Sequence, residues 1–156
     1  AMDDFAAATG RQYKPFEFYG HPQAERVIVI MGSAIGTCEE VVDELLSRGE
    51  KVGVLKVRLY RPFSAAHLLA ALPESARAVA VLDRTKEPGA LAEPLYLDVM
   101  TALAEAFNRG ERETLPRTIA TVSPPRSLVR NACWRYSVNC RPPSRSRALP
   151  SGSMMT

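Results

Sequence analysis

The sequence is poor in the residues that build reaction centres. It has two histidines, His21 and His67, far apart in the chain. Its three cysteines, Cys38, Cys133 and Cys140, form no CxxC pair and no cluster with metal-ligand spacing. No catalytic triad, metal cluster or P-loop assembles from neighbouring residues, so no catalytic, metal-binding or cofactor-binding residue is expected in this chain. Long apolar runs are absent too, which excludes a membrane-spanning helix, and the N-terminus lacks a charged-then-apolar leader pattern. The cytoplasm is the expected compartment, with no membrane partner. Residues 114–156 contain no Asp, Glu or Lys, only seven Arg, whereas residues 1–113 carry 13 Lys or Arg against all 17 acids. The overall charge of +3 therefore conceals an acidic body and a basic end.

What is present is enough for one layered domain. The chain has 156 residues, 46% hydrophobic and 24% charged, a composition that supports a buried core. "RVIVIMG" (26–32) and "AVAVLD" (78–83) are continuous apolar runs, and "KVGVLKV" (51–57) is nearly so; all three have the pattern of strands buried on both faces. "TIATV" (118–122) is a possible fourth strand. Between them lie amphipathic stretches. Val41, Val42, Leu45 and Leu46 form an inward stripe, with Thr37 as expected N-cap, Glu40 closing a capping box, Cys38 as a small core residue and Gly49 as the stop. Ser64 is placed to cap a short helix through Leu72, on which His67 falls on a solvated face. A later helix carries Leu95, Leu97, Val99, Met100, Leu103 and Phe107. Strands alternating with helices predict an α/β domain: a three-layer, Rossmann-like parallel sheet with helices on both faces. Residues 1–25 show no clean period and read as an arm or linker from a preceding domain.

Right-handed crossovers gather the loops after the strands on one edge of such a sheet, where these folds bind their ligands. "GSAIGT" (32–37) has two glycines rather than the three of a dinucleotide fingerprint, and a tight strand-to-helix turn is preferred to a phosphate cradle. "RLYRPF" offers Arg58, Tyr60, Arg61 and Phe63. Two guanidiniums can hold a carboxylate or phosphate, or pair with acids across a subunit or domain interface, whose cores favour Arg and aromatic residues. The interface is preferred. "DRTKEPG" supplies Asp83, Arg84, Lys86 and Glu87, charges suited to proton transfer but with no nucleophile nearby, and it too is preferred as a docking loop.

"YGHPQAERVIVIMGSAIGTCEEVVDELLSRGEKVGVLKVRLYRPF" and the following "SAAHLLAALPESARAVAVLDRTKEPGALAEPLYLDV" resemble the second domain of pyruvate:ferredoxin (flavodoxin) oxidoreductase over residues 10 to 110. The resemblance implies a module similar to the C-terminal domain of transketolases. It also implies a parent enzyme that uses thiamine diphosphate, magnesium and 4Fe-4S clusters to convert pyruvate and coenzyme A into acetyl-CoA and CO2. Electrons would pass to ferredoxin or flavodoxin, in a homodimer whose other domains are this domain's partners. The Gly-Asp-Gly…Asn thiamine motif and the four-Cys cluster spacings of the family are missing here. The chain is thus expected to be a scaffold fragment, residues 26–118 forming the domain. The other hypothesis is a stand-alone ligand- or partner-binding module. Exposure of Tyr13, Phe16 and Phe18 would favour the fragment.

The resemblance fades near residue 118. Met154-Met155-Thr156 must be encoded ATG ATG ACN, and starting one base earlier gives x-Asp-Asp, as in the Gly-Ile-x-Asp-Asp segment the resemblance leads one to expect. The same shift lets "CWRYSVNC" (133–140) read Leu-Ala-Val-Phe-x-Glu-Leu, an amphipathic pattern. Residues 119–156 are therefore expected to be out of frame and disordered. A native basic tail that binds nucleic acid or acidic lipid is the competing reading, and the lack of lysine and of repeated aromatics weighs against it.

Overall fold

In the computed structural model, one mixed sheet is built from β1 (Phe16–Gly20), β2 (Arg26–Met31), β3 (Val52–Val57), β4 (Ala78–Asp83) and β5 (Arg117–Val122). Helices α1 (Met2–Thr9), α2 (Ile35–Ser47), α3 (Ala65–Ala71) and α4 (Pro94–Asn108) complete it. The structure describes residues 2–83 and 85–122, with positions 131 and 135 beyond. The strand suggested at 118–122 is present as β5, so the expected disorder from residue 119 onward fails over 119–122, which pair with β4; the expectations for the rest of the basic end and for Arg84 lie outside the described residues.

The strand order is β1-β3-β2-β4-β5. β2 lies parallel to β3 and β4, and β4 parallel to β5. Every residue of β3 and β4 is buried, as a strand covered on both faces requires. Alternation within the strands divides the core in two. Val27, Val29, Leu55, Val79 and Val81 face Leu68 and Leu72 of α3 and Leu95, Val99 and Leu103 of α4. Ile28, Ile30, Val52, Val54, Ala80 and Leu82 face Cys38, Val41, Val42 and Leu45 of α2. Cys38 is fully buried there and disulfide-bonded. The α/β expectation holds, with α2 on one face and α3 and α4 on the other.

Three local expectations are corrected. The segment before residue 25 is not merely an arm, because β1 adds antiparallel to β3, making the sheet mixed. Its "FEFY" does alternate: Phe16 and Phe18 join the α3 side, while Glu17 reaches Lys56 and Tyr19 bonds Asp43 of α2. Of the aromatics proposed as an exposed patch, Tyr13 is exposed, but Phe16 is only 2% exposed and Phe18 is partly buried. Second, α2 begins at Ile35 with Ala34 as N-cap and no side-chain cap bond, so Thr37 and Glu40 do not form the opening capping box. The Ile35 N–H already donates to the Gly32 carbonyl at 3.3 Å, starting the helix directly off the strand turn. Third, Leu97 and Phe107 of α4 are exposed; its buried stripe is Leu95, Val99, Ala102, Leu103 and Ala106. Ser64 caps α3 as expected, accepting from the His67 N–H at 3.5 Å, and His67 is exposed.

Candidate functional site at the carboxyl edge of the sheet

The loop after β3 is held by α4. Asp98 accepts a hydrogen bond from the Tyr60 hydroxyl at 2.9 Å and from Arg61 Nη1 at 2.7 Å. Arg61 Nη2 donates back to the Tyr60 oxygen at 2.9 Å, and its guanidinium lies 4.0 Å from the Tyr60 ring centroid, a stacked cation–π arrangement. Partial burial, then the hydrogen bond to Asp98 and its negative charge, push the Tyr60 phenol up to about 12. The hydrogen bond to Asp98 likewise raises the Arg61 guanidinium. Beneath them Phe63 packs edge-on against Phe16 at 5.5 Å and against Tyr60 at 6.4 Å. The Arg61–Pro62 peptide bond is cis.

Arg58, its side chain 46% exposed, pairs its Nε with Glu17 Oε2 at 3.2 Å. Glu17 also meets the buried Lys56 ammonium at 3.3 Å, and Lys56 reaches Glu39 of α2 at 3.1 Å. Burial alone would raise the Glu17 carboxyl, but hydrogen bonds from Lys56 and Arg58, with their charges, outweigh it and bring Glu17 below its ordinary 4.5. Arg58 and Arg61 thus each find a carboxylate within the chain.

After β4, Asp83 is 2% exposed and accepts from the Leu95 N–H at 2.7 Å and the Thr85 N–H at 3.1 Å. It caps the start of α4, so the first acid of "DRTKEPG" is committed to holding the loop and not to proton transfer. Lys86 and Glu87 stand exposed at the tip, followed by a fully exposed Leu91. Both loops are anchored on α4, the first through Asp98 and the second through Leu95. Sequence reasoning missed Glu17, Lys56 and Asp98. Lys56 carried a usable signal, since an ammonium inside an otherwise apolar strand requires nearby carboxylates. Asp98 carried less, because its partners lie 37 and 38 residues away in sequence.

Among the described residues no group of three or more His, Cys, Asp or Glu side chains is placed to hold a metal, and no buried side-chain polar atom lacks a partner. No described helix is long and apolar enough to cross a membrane.

Fold and edge together define a three-layer α/β module that presents shaped, charged loops at the carboxyl edge of its sheet. Residues 24–117 match the family model "Pyruvate:ferredoxin oxidoreductase core domain II". The chain is 87% identical over 119 residues to a probable pyruvate-flavodoxin oxidoreductase of Escherichia coli (strain K12), covering 76% of this chain and 10% of that protein. It is 60% identical over 104 residues to the pyruvate:ferredoxin oxidoreductase of Moorella thermoacetica (strain ATCC 39073 / JCM 9320), covering 67% of this chain and 9% of that one. A solved 2-oxoglutarate:ferredoxin oxidoreductase from Magnetococcus marinus is similar with a TM-score of 0.47 and 19% identity, over 80% of this chain and 20% of its own. The chain belongs to the pyruvate:ferredoxin (flavodoxin) oxidoreductase family of 2-oxoacid oxidoreductases, as its core domain II. It spans about a tenth of the length of these two oxidoreductase relatives.

Proposed function

We propose that this chain is the scaffold domain of a cytoplasmic, thiamine-diphosphate-dependent enzyme. That enzyme converts pyruvate and coenzyme A into acetyl-CoA and CO2, and its iron–sulfur clusters pass the electrons to ferredoxin or flavodoxin. The observation that carries this is the match of residues 24–117 to core domain II. The domain's task is to dock other domains of the homodimeric parent through the loops bearing Arg58, Tyr60, Arg61 and Phe63, and Arg84, Lys86 and Glu87. Two features support docking over chemistry. The post-β3 loop spends its charged side chains on internal partners, Glu17 and Asp98, which fixes its shape. The post-β4 loop instead displays Lys86, Glu87 and Leu91 outward, the mixture of charge and apolar surface found at domain interfaces.

A graft tests the proposal. Residues 24–117 replace the matching segment of the Escherichia coli relative, and pyruvate- and coenzyme-A-dependent reduction of an electron acceptor is measured. The graft is expected to turn over and the isolated chain to show none. A folded, cofactor-loaded graft that is inactive, or turnover by the isolated chain, would refute the assignment. In the same graft, reversing both charges (Lys86→Glu with Glu87→Lys) should speed proteolysis between domains; an unchanged digestion pattern would sink the docking edge.

A further inference from the structure

The post-β3 loop is built as a continuation of the β1–β3 pair, although β1 lies before the residues matched by the family model, which begin at 24. All five β1 residues pair with β3, from Phe16 opposite Val57 to Gly20 opposite Gly53. Just ahead of β1, the Pro15 carbonyl accepts from the Arg58 N–H at 2.8 Å and from the Leu59 N–H at 3.1 Å, so the first two loop amides are held by the chain entering β1. The Phe16 ring is the surface on which Phe63 rests, and Phe63 in turn supports Tyr60. Glu17 holds the Arg58 side chain and shares the buried Lys56 with Glu39. Removing β1 together with Pro15 ahead of it would therefore strip the loop of two backbone hydrogen bonds to one carbonyl, an aromatic support and a carboxylate at once, and would leave Lys56 with one acid.

We infer that Phe16 and Glu17 are positioning residues for the loop Arg58–Phe63, so that β1 is part of the docking site and the functional domain starts before residue 16. The inference rests on the docking proposal only for the purpose of the loop; the coupling itself is a property of this chain. A polypeptide arriving from an upstream domain would be fixed to the edge that meets the other domains, instead of hanging from it as a loose linker.

Hydrogen exchange followed by mass spectrometry on the full chain decides the matter. In Glu17→Gln the amides of residues 58–63 are expected to exchange roughly tenfold faster, the scale of a lost hydrogen bond to a charged group, while residues 78–83 of β4 keep their protection. Phe16→Ala should do the same more strongly. Glu39→Gln, which takes the other acid from Lys56 without touching the loop, should leave residues 58–63 unchanged. If Phe16→Ala does not fold, Glu17→Gln decides alone. Unchanged exchange at 58–63 in Glu17→Gln, or an equal rise in β4, would overturn the inference. Failure of the charge reversal at Lys86 and Glu87 would remove docking and leave this coupling standing.

Discussion

Asp83 ends an apolar strand on a carboxylate, and that carboxylate is almost wholly buried. A buried charge is tolerated only when its hydrogen-bonding capacity is met. Here Pro94 occupies the first turn of α4 and has no N–H to offer, so the first free donor is Leu95, and it points at Asp83. The positive end of the helix adds to the attraction. Asp83→Ala should lower unfolding free energy by about 1–3 kcal/mol, because it leaves the Leu95 donor unsatisfied. Asp83→Asn, which keeps one acceptor, should cost less. Urea unfolding monitored by circular dichroism gives both values, and an unaltered midpoint for Asp83→Ala would show that solvent satisfies the donor equally well.

At the scale of elements, β2, β3 and β4 could be read from sequence to within a residue because each is an apolar run, largely uninterrupted, bounded by polar residues or Gly. β1 was illegible for a different reason. "FEFYG" has two alternations in five residues, too short to stand out beside the mixed composition around it, and only pairing with β3 reveals it. The start of α2 was misplaced because Thr37 and Glu40 form a plausible cap in isolation, while the backbone turn at Gly32 had already launched the helix. The edge loops could be named from sequence, but not their partners. Glu17 and Asp98 approach Arg58 and Arg61 only through sheet pairing and helix packing. The close fit of β1 on β3 has its own test. A methyl group added at Gly53 would lie 2.3 Å from Cζ of Phe18 and 3.0 Å from the Tyr19 carbonyl oxygen, so ring and strand must both yield. Gly53→Ala is expected to cost about 1–3 kcal/mol as overpacking and to raise exchange selectively in residues 16–20. A stability equal to that of the parent sequence would mean that β1 rides loosely on β3.

For the whole molecule, the two most informative titrations lie at the same end of the sheet, and their signs bracket a plateau of stability. Glu17 has a folded pKa below its ordinary 4.5. Its contribution is present above that value and is lost as pH falls through the lower folded one, since the unfolded chain takes up the proton first. Tyr60 is raised from 10.0 to about 12. Its contribution is complete below 10.0 and drains away as pH climbs to about 12, because the unfolded phenol ionises while the folded one resists. Tyr19, raised chiefly by its hydrogen bond to Asp43, acts in the same direction. Melting temperature should therefore stay level between these limits and fall on both sides. Tyr60→Phe should melt lower at neutral pH, having lost its bond to Asp98, yet decline less steeply than the parent sequence above pH 10.0. Glu17→Gln should in the same way flatten the acid side. Parallel alkaline slopes for Tyr60→Phe and the parent would show that the phenol ionises as readily in the folded chain as in the unfolded one, and that the Tyr60–Asp98 bond does not hold the loop to α4 in solution.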